Sequence, residues 1–148
     1  MSINQLPRAA VTLGLAGVIP QAICVAFALS GGPMQDVAVA AGCGYAGIIL
    51  SFLGGCWWMA ALLARRTDTW IYVVAVSYSL LGWALLLPAS IGWHWTSKCL
   101  VLQAVLLLAS PLVDHALASR VALPVGWHRL RWMMAGGLGS LTLLLAFL

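Results

Sequence analysis

The sequence predicts an all-α integral membrane protein with five transmembrane helices, a cytoplasmic N-terminus and a C-terminus outside. Hydrophobic residues make up 64% of the 148-residue chain and charged residues only 7%, whereas a soluble domain carries about 25% charged residues. The chain also divides into five apolar runs, and a helix needs roughly 20 apolar residues to cross a bilayer. Such a chain cannot cover a water-facing surface, so we expect the lipid bilayer to surround it.

The predicted spans belong to one membrane domain of residues 1–148, because the loops between them are too short to hold a soluble domain. Proline punctuates three of the gaps, at Pro33, Pro88 and Pro124, where it favours the end of a helix. The spans cover residues 9–30, 37–64, 69–88, 98–118 and 131–148.

The basic residues predict the orientation of these spans. With five crossings, the N-terminus and the loops at 65–68 and 119–130 share one side, and only Lys98 lies on the other. The six residues on the first side are Arg8, Arg65, Arg66, Arg120, Arg129 and Arg131. Cytoplasmic loops carry the excess of Lys and Arg. Because no Arg- and Ser-rich transit segment precedes the first span, we expect a bacterial inner membrane.

Small residues recur at alternating spacings of four and three on one face of the second span. This face consists of Ala40, Gly44, Gly47, Ser51, Gly54 and Trp58. Small residues let helix backbones approach closely in lipid, so we expect this helix to be central and its neighbours to pack into the groove. Gly55, next to Gly54, is expected to serve a second neighbour. The predicted helix-packing residues are Gly44, Gly47, Ser51, Gly54 and Gly55.

The tryptophans gather toward the ends of the spans. Two of them, Trp93 and Trp95, lie toward the outside, and such belts are typical of membrane interfaces. An alternative is that Trp57 and Trp58 form a shelf for a ligand. The tryptophans assigned to the cytoplasmic side are Trp57, Trp58, Trp70, Trp127 and Trp132.

Polar residues near the middle of spans suggest two interpretations, since polar groups in lipid are costly and often functional. They either line a small pocket between the first three helices or form hydrogen bonds across helix contacts, which is the simpler interpretation. These residues are Gln21, Ser51, Ser77, Tyr78 and Ser79.

Asp114 and His115 follow Pro111 toward the cytoplasmic end of the fourth span. Asp114 is expected to pair with Arg65 or Arg131; the alternative is an anchor for a ligand or a relay for protons. The residues that we expect to contact a ligand or partner, if one binds, are Gln21, Trp57, Trp58, Tyr78, Asp114 and His115.

The residue pattern argues against several functional classes. We find no catalytic constellation, no metal-binding cluster and no cofactor motif, and the basic residues lie at span ends rather than in a patch for nucleic acid. None of the four cysteines forms a C-x-x-C pair. The sequence leaves open whether Cys43 and Cys99 form a disulfide, because both can lie near one membrane face.

Three stretches resemble the small inner-membrane family called domain of unknown function 3429. They are "LGLAGVIP" at 13–20, "YAGIILSFLGGCWW" at 45–58 and "LPVGWHRLRWMMAGGLGSLTLLLAFL" at 123–148. The resemblance spans nearly the whole chain and implies the five-helix fold and a membrane location, but no reaction. Many members carry a polar or basic residue where this chain has Trp57, so no charged site is implied there.

We therefore expect a non-catalytic inner-membrane accessory or assembly subunit, packed against other membrane-protein subunits, for example those of an energy-converting complex, or against copies of itself. The small-residue faces on several helices and the lack of soluble mass favour this role. The alternative is a binder or carrier of a small hydrophobic ligand, such as a lipid, a quinone or a tetrapyrrole.

Overall fold

The computed structural model describes residues 6–91 and 96–148, and the regular elements there are α-helices. The predicted belt residues Trp93 and Trp95 lie outside the described residues. In chain order the helices are α1 (Arg8–Ala16), α2 (Ile19–Ser30), α3 (Gln35–Leu63), α4 (Thr69–Ala84), α5 (Leu87–Ser90), α6 (Thr96–Ala118) and α7 (Trp127–Leu145).

The first predicted span is a segment of two helices, α1 and α2, with a break between them. Pro20 lies in the first turn of α2 and has no N–H group to donate, which explains a break in the helix just before it. The carbonyl of Gly17, at this break, accepts a hydrogen bond from the hydroxyl of Tyr45 on α3. The break is therefore tied to the next long helix.

The third predicted span, residues 69–88, is shorter in the structure than the sequence indicated. Helix α4 ends at Ala84 after 16 residues, and the four-residue helix α5 follows separately. Pro88 cannot donate a hydrogen bond to the carbonyl of Ala84, which favours the end of α4 at that residue.

The fifth helix begins earlier than predicted. Gly126 takes a left-handed conformation with φ 89°, which glycine adopts at no steric cost, and α7 starts at the next residue, Trp127. Its first turns therefore contain His128 and Arg129, and they place Arg131 in the interior, where it is only 5% exposed. Helices α3 and α6 match the predicted bounds within two residues.

Helix α3 is the central helix, as predicted, because it contacts α2, α4, α6 and α7. Its closest neighbour is α4, and glycine makes this approach possible. A Cβ atom on Gly47 would lie 2.9 Å from the carbonyl oxygen of Gly82 on α4, and a Cβ atom on Gly54 would overlap the carbonyl oxygen of Ala75. The hydroxyl of Ser79 donates to the carbonyl of Ser51 across the same contact, at 3.4 Å.

Two of the predicted packing glycines need correction. A Cβ atom on Gly44 or Gly55 would meet nothing within 4 Å, so these glycines do not pack against another described helix of this chain. Gly44 follows the buried Cys43, and Gly55 follows the buried Gly54. Successive residues of a helix differ in direction by about 100°, so Gly44 and Gly55 point away from the contacts that their neighbours make. The sequence also missed Gly42 and Gly82, which do lie at helix contacts.

Contacts at the two ends of the bundle show how the helices run. At one end Asp68 forms ion pairs with Arg66, at 2.7 Å, and with Arg120, at 3.0 Å; we call this the arginine end. At the opposite end the side-chain amide of Gln35 donates to the carbonyl of Leu148. The α1–α2 segment, α3, α4, α6 and α7 therefore run alternately between the two ends.

The described helices indicate a membrane protein. Three segments are long and apolar enough to cross a membrane: Arg8–Ser30, Gln35–Leu63 and Thr96–Ala118. Large apolar side chains also point away from the bundle, for example Ile48, which is 64% exposed. A continuous apolar exterior is expected where lipid rather than water surrounds the helices.

Candidate functional site

A network of four side chains lies where α3, α6 and α7 meet. One carboxylate oxygen of Asp114 accepts a hydrogen bond from the Trp57 indole N–H at 2.9 Å, and the other accepts from Nε of Arg131 at 2.6 Å. Nη2 of Arg131 also donates to the hydroxyl of Ser110 at 3.2 Å. Asp114 and Arg131 are 1% and 5% exposed. The sequence offered two arginines as partners for Asp114, and the structure selects Arg131.

Pro111 explains the orientation of the Ser110 hydroxyl in this network. Because proline has no N–H group, the carbonyl of Leu107, one turn earlier, loses its helical donor. The Ser110 hydroxyl donates to that carbonyl at 2.7 Å, which leaves its oxygen free to accept from Arg131. Ser110 was not among the predicted contact residues, although the Ser-Pro pair inside an apolar helix could have indicated it.

Tyr78 on α4 supports the indole of Trp57 from the other side. The two rings meet edge to face, with centroids 4.7 Å apart, and such aromatic pairs add to the stabilisation from burial. The Tyr78 hydroxyl donates to the carbonyl of Leu106 on α6 at 3.1 Å. Trp57 is therefore held by one hydrogen bond and one ring contact, and it is 2% exposed.

A cavity of about 190 Å³ opens beside this network, between α1, α3 and α7. Its rim includes Ala10 and Phe52, both exposed on the outside of the bundle, and its floor includes Trp57, Asp114 and Arg131, all buried. The cavity therefore leads from the apolar exterior to the ion pair. Its remaining lining residues are Gly14, Leu53, Cys56, Trp127, Leu130 and Met134.

A second cavity of about 150 Å³ lies next to the first, toward the loop that joins α6 and α7. Both cavities are lined by Cys56, Trp57, Asp114 and Trp127. The Nε1 atom of Trp127 is buried, and it has no hydrogen-bond acceptor among the described residues. A buried donor without an acceptor is energetically costly, so this N–H is a candidate partner for a ligand.

Two larger clefts, of about 460 and 490 Å³, lie at the ends of the bundle. One is at the arginine end, beside Val125 and Gly126, and the other is beside Asp36 and Ser97. These four residues are exposed, and neither cleft includes a member of the network. The cavity that ends at Asp114 and Arg131 is therefore the better candidate site.

The other predicted contact residues lie elsewhere. Gln21 is fully buried beside Gly42, and both polar atoms of its amide lack a partner in the described part of the chain. Trp58 is 40% exposed and meets Tyr72 edge to face. His115 is exposed, and its ring centroid lies 5.9 Å from that of His128. The hydroxyl contacts of Tyr78 and Ser79 are bonds across helices, as in the simpler interpretation.

Within the described ranges there is no group of three or more His, Cys, Asp or Glu residues that could hold a metal ion. All four cysteines are free. Cys43 and Cys99 are buried in the same apolar cluster but are not joined. A disulfide between them is therefore not present in the structure.

Comparison with known proteins gives one match. The family model described as protein of unknown function (DUF3429) matches residues 6–147. No curated protein and no solved structure matches the chain.

Proposed function

We propose that this protein, which belongs to the DUF3429 family of proteins of unknown function, binds a small hydrophobic ligand within the membrane. Family membership confirms the resemblance drawn from the sequence and supplies no activity. The proposal is supported by one observation: an apolar cavity that begins at exposed residues of the bundle and ends at a buried ion pair. Ligand sites combine largely apolar walls with a few placed polar groups.

The size of the cavity excludes one of the three ligand classes that the sequence left open. Pockets for drug-sized ligands are about 300–1,000 Å³, and this cavity is about 190 Å³. A tetrapyrrole is too large for it. A lipid or quinone fits better, because one compact end group can occupy the cavity while an apolar tail extends past Ala10 and Phe52 into the bilayer.

The membrane arrangement belongs to the same proposal. We place five spans in a bacterial inner membrane, with the arginine end in the cytoplasm. Support comes from the ion pairs of Asp68 with Arg66 and Arg120, which bring two basic loops to the same end. The Cδ1 atom of Leu6 lies near Gly126 at that end as well, and Leu148 lies at the other.

Purification in mild detergent followed by mass spectrometry of the extracted small molecules tests the proposal. Wild-type protein should retain one molecular species in a ratio approaching one per chain. Cys56→Phe, which fills the space between the two cavities, and Ala10→Phe, at the rim, should lose it. Ala9→Phe is the matched control, because Ala9 is exposed on the same helix and lines neither cavity. Retention of the same species by Cys56→Phe would contradict the proposal.

A second candidate function is the accessory or assembly subunit that the sequence favoured. Its support is the outward position of Gly55, which is exposed and has no neighbour that a Cβ atom would meet. A flat surface of this kind suits a helix of another subunit. Affinity purification of Gly55→Leu and wild-type protein, with mass spectrometry of co-eluting proteins, tests it; an identical set of membrane proteins from both would contradict this role for Gly55.

A further inference from the structure

Resting on the proposed function, we infer that the buried end of the ligand is uncharged and carries carbonyl oxygens, which accept hydrogen bonds from Arg131 and Trp127. Three features of the cavity support this ligand chemistry: the unpartnered donors, the charge balance of the ion pair and the small volume between apolar walls.

The polar groups at the floor that lack a partner are donors. Arg131 donates from Nε to Asp114 and from Nη2 to Ser110, and its guanidinium forms no further hydrogen bond within residues 6–91 and 96–148. The Trp127 N–H is likewise without an acceptor there. Both residues line the cavity. A ligand that brings acceptor oxygens would satisfy both donors, while one that brings only donors would leave them unpaired.

The charge of the floor favours an uncharged ligand. Arg131 and Asp114 form a pair at 2.6 Å with little exposure to solvent, so their charges already balance. An added carboxylate or phosphate would bring an unbalanced charge into an apolar cavity, and such a burial is strongly unfavourable. A carbonyl oxygen accepts the same hydrogen bonds without that cost.

The small volume of about 190 Å³ and the apolar walls favour one compact ring with an apolar substituent. The walls are supplied by Leu53, Leu130 and Met134, and the exposed rim by Ala10 and Phe52. Trp127 borders both cavities, so rotation of its indole can turn the N–H toward an occupant. An alkyl-substituted quinone ring has these properties: two uncharged carbonyl oxygens, a flat apolar ring and a tail.

The test measures binding of three probes to detergent-solubilised full-length protein by their effect on the melting temperature. The first probe is a decyl-trimethyl-para-benzoquinone, whose fully substituted ring cannot add a thiol such as that of Cys56. The second is the corresponding decyl-trimethylbenzene, which has the same substituents but no oxygens. The third is decanoate. A ligand that binds only the folded state raises the melting temperature as its concentration rises.

We expect the quinone to raise the melting temperature of wild-type protein. The oxygen-free probe and decanoate should need at least tenfold higher concentrations for the same rise. Trp127→Phe should weaken quinone binding roughly fivefold, as expected for one neutral hydrogen bond. Arg131→Lys, which keeps the charge opposite Asp114 but has no Nη1, should weaken it further. Trp132→Phe is the control, because Trp132 is 53% exposed on the same helix and does not line the cavity.

Equal stabilisation by the quinone and by the oxygen-free probe, with no effect of Trp127→Phe, would overturn this inference and leave the proposed function standing. Strongest stabilisation by decanoate would also overturn it, since the ligand would then be an anion. Absence of any probe binding would overturn it too, while the molecule extracted from wild-type protein would still decide the proposed function.

Discussion

Nε of Arg131 on α7 lies 2.6 Å from a carboxylate oxygen of Asp114 on α6, and both side chains are buried. Attraction within a buried ion pair offsets a large desolvation cost, so such a pair is weak support for stability by itself. What distinguishes this pair is its position. It ties together two antiparallel helices and forms the floor of a cavity that opens to the exterior of the bundle.

Removing one charge of the pair should destabilise the protein. Asp114→Asn keeps the shape and an oxygen for Trp57, but it leaves the charge of Arg131 unbalanced. We expect the free energy of unfolding to fall by about 3–5 kcal/mol, measured by reversible unfolding in mixed micelles. The double variant Asp114→Leu/Arg131→Met removes both charges and should lose less. An Asp114→Asn protein as stable as wild type would show that the pair does not hold α6 to α7.

Adjacent glycines on α3 should respond oppositely to the same substitution. Gly54→Ala places a Cβ atom into the carbonyl oxygen of Ala75, so α4 must move, and overpacking of this kind costs about 1–3 kcal/mol. Gly55→Ala points into open space and removes a poor helix former, so its stability should be equal or slightly higher. The measurement is the melting temperature of each variant in detergent. Equal melting temperatures for the two variants would contradict the close contact of α3 with α4.

Neighbouring tryptophans should also differ. Trp57→Phe loses the hydrogen bond to Asp114, and hydrogen bonds to charged groups contribute about 1.5–3 kcal/mol. Trp58→Phe keeps an aromatic ring at a position that is 40% exposed, and its effect should stay within about 0.5 kcal/mol. Unfolding free energies measured in the same micelles check this. A larger loss of stability for Trp58→Phe than for Trp57→Phe would contradict the assignment of Trp57 as the buried, hydrogen-bonded indole.

Reporter fusions check the proposed topology. The two chain ends lie at opposite ends of the bundle, and the arginine end is assigned to the cytoplasm. Alkaline phosphatase fused after Leu148 should therefore be active, whereas a fusion at Thr67, in the loop between α3 and α4, should be inactive. Activity at Thr67 together with an inactive fusion after Leu148 would reverse the orientation.

The sequence predicted the parts of the fold that depend on local composition. Apolar runs located the long helices, and the glycine spacing of α3 identified the central helix. The same reasoning placed the start of the last helix at 131 rather than Trp127, because a charged residue such as Arg129 is typical of a loop. The earlier start depends on the left-handed turn at Gly126 and on a buried partner for Arg131, and neither is a property of hydropathy.

The candidate site was only partly accessible from the sequence. Asp114 was singled out as a charged residue within an apolar span, and Trp57 as part of an alternative ligand shelf, but two arginines remained possible partners for Asp114. The choice depends on how α6 faces α7. The cavity was not predictable, since an empty volume arises from side chains of α1, α3 and α7 that are far apart in sequence. The position of Gln21 near the middle of a span suggested hydrogen bonds across helices, but its amide has no hydrogen-bond partner in the described part of the chain.

The most direct test of a ligand in this cavity is to add the extracted molecule back to delipidated protein and record the melting temperature. We expect a concentration-dependent rise for wild-type protein and for Ala9→Phe, and no rise for Cys56→Phe, whose added ring occupies the space beside Trp57 and Trp127. A rise of the same size in Cys56→Phe would contradict ligand binding at this site, because the molecule would then bind somewhere other than the cavity that ends at Asp114 and Arg131.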